Sequence, residues 1–409
     1  MTHTQNLTTF GPVEPAVLEQ INRCRAGDGF ESSGAVLCAD NHLGYSMPIG
    51  GAIAYPDHIS PSGVGYDIGC GNKAVRTNLT RSDLFPAGTP DVRRLMNRIV
   101  SAVGFGVGRP NPEPVEHPVL DAIRNAAFEP QRKMLDMAAK QLGTVGGGNH
   151  YVDVFADELD RIWIGVHFGS RGFGHRTASG FLALAQGAEF TATVSEGGMH
   201  APPTLLRTDS DVGQAYVCAM QLAGDYAYAG RDLVVDKVLS LMDATAEEAV
   251  HNHHNFAWRE THFGTEAWVV RKGCTPAFPG QRGFVGGSMG DISVILEGVE
   301  SDRSAAAMYS TVHGAGRVLS RTAAAGKSRF RGGRKVTDGG GLVDWPTVRA
   351  SLWERGIVVK GSGADEAPEC YRPLGDVLNY HAETIRIVHT LTPLGVAMAD
   401  GNTHDPYKD

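Results

Sequence analysis

The sequence predicts an α+β fold, with helices and strands mixed in one large domain around a loop-rich centre. Helical and strand-like patterns alternate along all 409 residues without an internal repeat, a low-complexity block or a linker. The 52 glycines lie in short runs beside polar residues over the whole chain. That distribution is typical of many tight loops around a site and differs from a flexible tether. We therefore assign residues 1–409 to one domain, with residues 1–30 as a variable lead-in.

Local patterns predict the main elements in chain order. A short helix is expected over 15–25, followed by a loop-rich stretch over 44–59. Pro130 suits the first turn of a helix that stops at Gly143. Alternating apolar residues over 161–166 predict a strand that ends at His167.

The second half of the chain begins with a long helix, predicted over 212–241 from apolar residues at helical spacing. Short strand-like runs follow at 267–270 and 357–359. The amphipathic pattern of 375–391 predicts a last helix, which Pro393 ends.

Composition narrows the class of protein. A net charge of −8 excludes a surface that is basic all over, so any contact with nucleic acid requires a local patch. No apolar run approaches the length of a membrane span, and no targeting segment is recognisable. The six cysteines show no paired spacing, which indicates reduced thiols and a cytoplasmic protein.

The stretch 61–73 places Asp67 and Cys70 three positions apart on a backbone with four glycines. A carboxylate and a thiolate at this separation reach a common centre, and a thiolate has enough lone pairs to bind two metal ions. A glycine-rich turn with a buried cysteine is the simpler reading of this motif alone. A metal site becomes the better interpretation because later segments supply histidines in similar glycine- or asparagine-rich settings.

Three such histidine segments stand out from the sixteen histidines of the chain. His150 follows three glycines and an asparagine, and His167 ends the predicted strand. In the third segment His251, His253 and His254 compete for the role of ligand. Together with the carboxylate and the thiolate they form a set for zinc, cobalt or manganese. Ligands scattered over nearly two hundred residues favour a catalytic site with open positions.

A further histidine, His313, is followed by two glycines and an arginine, as HGAGR over 313–317. A neutral imidazole attacks phosphorus to form a phosphoramidate; a capped turn with a structural histidine is the alternative. Between Asp302 and Asp338 the chain has no acidic residue. The cations of this interval form a candidate phosphate-binding surface, and they are Arg303, Arg317, Arg321, Lys327, Arg329, Arg331, Arg334 and Lys335.

These motifs together resemble the RtcB family of GTP-dependent RNA ligases over nearly the whole chain. The matching segments are DIGCG (67–71), GGGNH (146–150), HFGSRG (167–172), HN (254–255), RKGCT (271–275), GSMG (287–290), HGAGR (313–317) and EAP (366–368). The resemblance implies an RtcB-type α+β domain with a dinuclear metal site at its centre. Two Mn(II) ions would be held by Asp67, Cys70, His150, His167 and His254, with the Cys70 thiolate bridging.

The resemblance also implies a reaction. GTP guanylylates His313, the guanylate moves to an RNA 3′-phosphate, and a 5′-hydroxyl displaces GMP to join the strands. A 2′,3′-cyclic phosphate is first opened by hydrolysis. The guanylate contacts implied are Asn149, Asp153, Ser288, His313, Gly314, Ala315, Gly316 and Glu366. The expected RNA contacts are Arg171, Arg317, Arg321, Lys327, Arg329, Arg331 and Arg334.

The chain departs from the family pattern at three points. The family's C-terminal lysine, which touches the guanylate, has no counterpart in residues 394–401. Val270 replaces the usual histidine before Arg-Lys-Gly, and Asp153 replaces the commoner glutamate. Two other functions use many of the same residues. One is a GMP-capping enzyme or dinuclear phosphoesterase acting on RNA ends, and the other is a nucleotide- or RNA-binding protein without catalysis.

Overall fold

The computed structural model describes residues 7–27, 29–84, 92–194, 198–331, 334–337 and 340–401. The helices within these ranges are α1 (Pro15–Arg25), α2 (Pro61–Val64), α3 (Arg81–Leu84), α4 (Arg93–Ala102), α5 (Pro118–Arg124), α6 (Glu129–Arg132), α7 (Leu135–Gln141), α8 (Arg171–Ala185), α9 (Asp211–Met242), α10 (Asp302–Ala306), α11 (Arg321–Ala325), α12 (Trp345–Glu354) and α13 (Leu374–Asn379).

The strands of the first half are β1 (Leu7–Thr9), β2 (Ala26–Gly27), β3 (Phe30–Glu31), β4 (Gly34–His42), β5 (Ile49–Tyr55), β6 (His58–Ile59), β7 (Gly71–Thr80), β8 (Tyr151–Asp157), β9 (Arg161–Phe168) and β10 (Leu206–Arg207). Those of the second half are β11 (Ala246–His253), β12 (Asn255–His262), β13 (Thr265–Lys272), β14 (Cys274–Pro276), β15 (Arg282–Val285), β16 (Ser293–Gly298), β17 (Ser310–Val312), β18 (Ser328–Arg331), β19 (Arg334–Thr337), β20 (Val358–Ser362) and β21 (Ile385–Asp400).

Two large sheets organise the fold, and both combine strands that are distant in sequence. An eight-stranded sheet has the order β11-β7-β9-β8-β21-β16-β15, with β20 beside β21. Its pairs are antiparallel except for the parallel pair β20–β21. A five-stranded sheet has the order β1-β4-β5-β13-β12. The α+β fold predicted from the sequence, with helices and strands mixed along the chain, is therefore confirmed.

The long helix α9 packs against β9 and α8 and carries much of the core. Ser210 caps its first turn by accepting a hydrogen bond from the Gly213 amide, and Asp243 ends it in the left-handed region. Tyr216, Met220 and Ala223 are buried on one face, as their helical spacing predicts. None of the helices in the described part of the chain combines the length and hydrophobicity that a membrane span requires.

Several element predictions are confirmed and others are wrong. The helices at 15–25 and 212–241 and the strand leading to His167 are confirmed. The helix expected from Pro130 is two short helices, because the chain breaks at Met134, which is buried in the core. The stretch 44–59, expected to be loop, contains β5 and β6, since β5 lies at the centre of the five-stranded sheet.

The last helix prediction fails for a clear physical reason. Only 374–379 are helical, and β21 begins at Ile385. The β-branched residues Ile387, Val388 and Thr390 favour a strand, and pairing with β16 and β8 satisfies its backbone. Pro393, expected to end a helix, lies at an irregularity in the β21–β8 register, where a missing backbone donor is tolerated.

Candidate active site

Strand ends at one edge of the eight-stranded sheet bring the predicted ligands together. Cys70 immediately precedes β7, His150 immediately precedes β8, and His167 is the second-last residue of β9. The register pairs His167 with Asn72 on one side and with Tyr151 on the other. Antiparallel pairing therefore places residues 80 and 97 positions from Cys70 beside its thiol.

The structure also distinguishes the three competing histidines at 251–254. His254 lies between β11 and β12, and its amide donates to the Cys70 carbonyl at 2.8 Å. Its ring centroid lies 5.0 Å from that of His167. The other two rings contact Arg231 instead, since His251 Nε2 accepts from Arg231 Nε at 2.7 Å and His253 Nδ1 lies 3.0 Å from Arg231 Nη2.

The five predicted ligands form two overlapping groups that share Cys70. One group contains Cys70, His167 and His254, the other contains Asp67, Cys70 and His150, and the ligand atoms in each lie within 4.8 Å of one another. Cys70 Sγ is 3.3 Å from His167 Nε2 and 3.6 Å from His150 Nε2. His150 Nε2 is 3.0 Å from Asp67 Oδ2. This arrangement suits two metal ions with a common sulfur ligand.

Asp67 reaches this position because the neighbouring Gly169 has no side chain. A Cβ at Gly169 would lie 2.1 Å from Asp67 Oδ1, a distance that real contacts do not show. The glycine that follows His167 and Phe168 in the sequence is therefore required by close packing against a predicted ligand.

The electrostatics of the cluster favour metal binding. Burial and the neighbouring imidazoles lower the pKa of His167 and His254 well below the ordinary value, so both rings are neutral, the form that binds metal. Burial raises the pKa of Asp67, but hydrogen bonding and charge from His150 outweigh it and lower that pKa to about 2. Burial raises the pKa of the Cys70 thiol well above its usual value, and the charge and hydrogen bond of Asp67 raise it further. A metal that binds this sulfur must displace its proton.

Arg231, on α9, holds the two halves of the cluster together. Its guanidinium is fully buried and donates through Nη1 to the Gly69 carbonyl at 2.8 Å and to the Phe168 carbonyl at 2.5 Å. These carbonyls adjoin Cys70 and His167 respectively. The same side chain contacts the rings of His251 and His253, as described above, so its hydrogen bonds fix the backbone that aims both ligands.

Beside the cluster, His313 is held by a buried carboxylate. Asp40 Oδ2 lies 2.7 Å from His313 Nδ1 and accepts from the His313 amide at 3.1 Å. Burial raises the pKa of Asp40, but these contacts outweigh it and keep that pKa below its ordinary value. With Nδ1 facing the carboxylate, Nε2 is the ring nitrogen that Asp40 does not contact. The His313 ring centroid is 4.7 Å from that of His254.

A cavity of about 660 Å³ contains these groups and the predicted guanylate contacts. Its lining includes the whole predicted set, Asn149, Asp153, Ser288, His313, Gly314, Ala315, Gly316 and Glu366. Asp153 Oδ1 is buried without a hydrogen-bond partner among the described residues, and burial raises the pKa of this carboxyl well above its usual value. Val396 and Met398, from the segment without the family's lysine, line the same cavity. Val270 does not; it is buried in β13.

The predicted RNA contacts separate into distinct groups. Arg317 and Arg321 line the cavity, where Arg317 Nη1 lies 3.3 Å from Glu366 Oε2 and Arg321 Nη1 contacts Glu366 Oε1. Arg171 Nη2 donates to the Gly106 carbonyl at 2.7 Å, and Lys327 is exposed. The remaining three belong to the hairpin β18–β19, and their side chains lie outside the described residues; they are Arg329, Arg331 and Arg334.

Three polar side chains of the site were not predicted from the sequence. Asp40 and Asn41 end the apolar run of β4, and that break in hydrophobicity is the signal that could have identified Asp40. Arg231 is a cation on a face of α9 that is otherwise buried, which indicates a buried partner. Tyr151 follows His150, lines the cavity, and has a buried hydroxyl without a partner in the described chain.

Fold and site together define a mixed α/β protein with a candidate metal centre beside an aspartate-held histidine. The family model for the tRNA-splicing ligase RtcB matches residues 25–129 and 121–399. The chain is 32% identical over 383 residues to RNA-splicing ligase RtcB1 of Escherichia coli, covering 86% of each. It is 30% identical to RNA-splicing ligase RtcB of Mycobacterium tuberculosis, covering 87% of this chain and 94% of that protein.

A third similar protein is tRNA-splicing ligase RtcB of Thermococcus kodakarensis, 29% identical over 444 residues with 89% of this chain covered. The chain belongs to the RtcB family.

Replacement of the shared ligand tests the two-group arrangement. Cys70→Ala removes the one atom common to both groups, so we expect metal analysis after saturation with Mn(II) and desalting to show loss of most bound metal. Cys218→Ala, which removes an exposed thiol, is the matched control and should retain wild-type metal content. Equal metal content in both variants, with unchanged circular dichroism, would exclude Cys70 as a shared ligand.

Arg231→Lys tests the role of the buried guanidinium. Lysine keeps the charge but lacks the planar fork that reaches both carbonyls. We expect metal affinity to fall about 10- to 100-fold, as for loss of other supporting contacts around metal ligands. Arg259→Lys, at an exposed ion pair with Glu266, should change neither metal affinity nor thermal unfolding. If the variant has a lower melting temperature but wild-type metal affinity, Arg231 stabilises the fold and does not support the metal site.

Proposed function

We propose that this protein is an RNA ligase that joins RNA 3′-phosphate or 2′,3′-cyclic-phosphate ends to 5′-hydroxyl ends, using GTP and two Mn(II) ions. One observation carries the proposal. An imidazole with its Nδ1 engaged by a buried carboxylate lies in contact with a ring of the ligand cluster, inside a cavity of nucleotide size. Membership of the RtcB family and similarity to RNA-splicing and tRNA-splicing ligases support the same reaction class.

The donor set fits a borderline divalent metal. It combines a thiol, a carboxylate and three imidazoles, and the Nδ1 atoms of His150 and His254 are buried without partners among the described residues. Cys70, His167 and His254 would hold one ion, and Asp67, Cys70 and His150 the other. When bound, the ions neutralise phosphate charge and orient the leaving group. A centre that depends on a reduced thiol is consistent with a cytoplasmic protein.

His313 acts as the nucleophile in the first step. Asp40 holds the Nδ1 proton, so the Nε2 lone pair is directed toward the α-phosphorus of GTP. A nitrogen–phosphorus bond forms as the bond to the pyrophosphate oxygen breaks, which leaves guanylate on His313 and releases pyrophosphate. As Nε2 loses its lone pair the ring becomes cationic, and the buried Asp40 carboxylate stabilises that charge.

The guanylate then passes to an RNA end. An oxygen of the 3′-phosphate attacks the guanylate phosphorus, the bond to Nε2 breaks, and His313 is regenerated. In the last step a 5′-hydroxyl attacks the RNA phosphate, a phosphodiester forms, and GMP leaves. A cyclic phosphate is opened by water at the same site beforehand.

The cavity residues divide between nucleotide and RNA in this proposal. Asn149, Asp153, Ser288, Glu366 and the loop of Gly314, Ala315 and Gly316 contact the guanylate. A protonated Asp153 donates one hydrogen bond and accepts another, which suits the edge of a guanine base. Arg317 and Arg321 reach phosphates at the cavity wall, whereas Arg171, Lys327, Arg329, Arg331 and Arg334 contact RNA further from the reacting atoms.

A phosphoesterase acting on RNA ends would use the same five ligands but has no need of the Asp40–His313 pair. That pair also distinguishes the ligase from a protein that only binds nucleotide or RNA, since binding requires no nucleophile. A GMP-capping enzyme would share the first two steps and omit the last.

Labelling with GTP tests the proposal. Wild type incubated with α-labelled GTP and Mn(II) should keep label after denaturation, and acid should release it because a phosphoramidate is acid-labile. His313→Ala should take up no label and join no RNA ends. Asp40→Asn should slow labelling by about 10²- to 10⁴-fold, as loss of the orienting carboxylate changes the tautomer of a catalytic histidine.

The control is His389→Ala, which removes a histidine paired with Glu158 at 2.7 Å near the opposite end of β8. It should label like wild type. Joining of RNA by His313→Ala, or a wild type that never takes up acid-labile label with Mn(II) supplied, would contradict the ligase assignment.

A further inference from the structure

A second concavity, the α4–α12 groove, lies outside the candidate active site. Its volume is about 470 Å³, and its side chains come from α4, α12 and β20. The helix α4 is distant in sequence from the other two elements, and β20 contacts both helices. Arg93 starts α4, Arg349 and Trp353 belong to α12, and Lys360 belongs to β20. None of these residues lines the larger cavity.

Charge in the α4–α12 groove opposes the charge of the whole chain. Arg93, Arg349 and Lys360 face one acidic residue, Glu354, in a protein with a net charge of −8. The side chains of Arg349 and Lys360 have no hydrogen bond or ion pair with any residue in the described ranges. Two side-chain cations without a partner in the described ranges, on a groove with one acidic residue, favour an anionic ligand.

An aromatic side chain accompanies these cations. Trp353 is 51% exposed, and the Arg93 guanidinium carbon lies 5.1 Å from the centroid of its ring. Ile357, Val358 and Val359 also line the groove, and all three are buried. An exposed indole beside cations is the combination that stacks an unpaired base and binds its phosphate.

The position of the groove connects it to the candidate active site. The strand β20 leads directly to Glu366, which lines the large cavity. On α12, Leu352 packs in one cluster with Met289, another residue of that cavity, while Trp353 faces outward. The helix α12 therefore lines the groove and packs in a cluster with a residue of the large cavity.

We propose that the α4–α12 groove binds single-stranded RNA, with a base stacked on Trp353 and phosphates contacting Arg349 and Lys360. The inference rests on the proposed RNA-ligase function, since it gives the substrate a second contact outside the site of reaction. An acidic peptide is the competing ligand, but it would not require an exposed indole. Double-stranded RNA is disfavoured because its bases are not available for stacking.

Direct binding tests the proposal without any reaction. The probe is a fluorescein-labelled twelve-residue oligouridylate with hydroxyl ends, measured by anisotropy without GTP or Mn(II). We expect Trp353→Ala to weaken binding about 5- to 100-fold, the loss associated with one stacked base. We expect Arg349→Glu with Lys360→Glu to reduce the slope of log affinity against log salt by about 0.7 for each phosphate contact removed.

The matched controls make the same kinds of substitution at exposed positions outside the groove. Phe263→Ala removes another half-exposed aromatic ring, and Lys133→Glu with Lys140→Glu reverses two exposed cations on α6–α7. Both should bind the oligouridylate like wild type. Wild-type affinity in the groove variants would overturn the proposal. If polyglutamate competes for the groove as well as RNA does, and Trp353→Ala has no effect on binding, the proposal is overturned in favour of an acidic peptide.

Guanylylation by GTP alone is measured on the same variants to separate this proposal from the proposed function. The groove variants should label like wild type, because the groove lies outside the cavity that holds His313. Absence of label on wild type would contradict the ligase assignment, and the anisotropy measurements would still decide whether the groove binds RNA.

Discussion

The rest of the candidate site depends on the Cys70 thiol, because it is common to both groups of predicted ligands. A group of three ligands can be assembled by a single loop, but two groups with a common sulfur require five side chains to converge from four parts of the chain. The eight-stranded sheet meets this requirement through its register. The starts of β7 and β8 and the ends of β9 and β11 fall at one edge, so the fold fixes the ligands before any metal binds.

Because the converging side chains are buried, their charged forms are disfavoured, and surrounding residues partly offset this effect. Desolvation opposes ionisation of Cys70 and protonation of His167 and His254, as the directions of their pKa shifts show. The buried Arg231 guanidinium acts in the opposite direction on Cys70 and anchors two adjacent carbonyls. A metal ion held by this cluster would displace the Cys70 proton, which would link metal binding to proton release.

Much of this site could be predicted from the sequence because its ligands stand in short glycine-rich motifs. Residue spacing alone left His251, His253 and His254 open, and only the family resemblance selected His254. The structure distinguishes them because Arg231 contacts the rings of His251 and His253. Asp40 was missed because 273 residues separate it from His313. Arg317 and Arg321 were expected on a basic surface, yet they line the cavity beside Glu366, a contact that charge counting cannot reveal. Amphipathic spacing predicts a helix where β21 lies, because a short β-branched stretch fits both the helical period of about 3.6 residues and the strand period of about 2.

The central claim is that one thiolate serves two metal ions. Titration of the wild-type chain with Mn(II), followed by low-temperature electron paramagnetic resonance, tests it most directly. We predict two ions per chain and an exchange-coupled spectrum, because a shared sulfur transmits coupling between the two spins. Saturation at one ion per chain, or two ions with the spectrum of isolated Mn(II), would contradict the account.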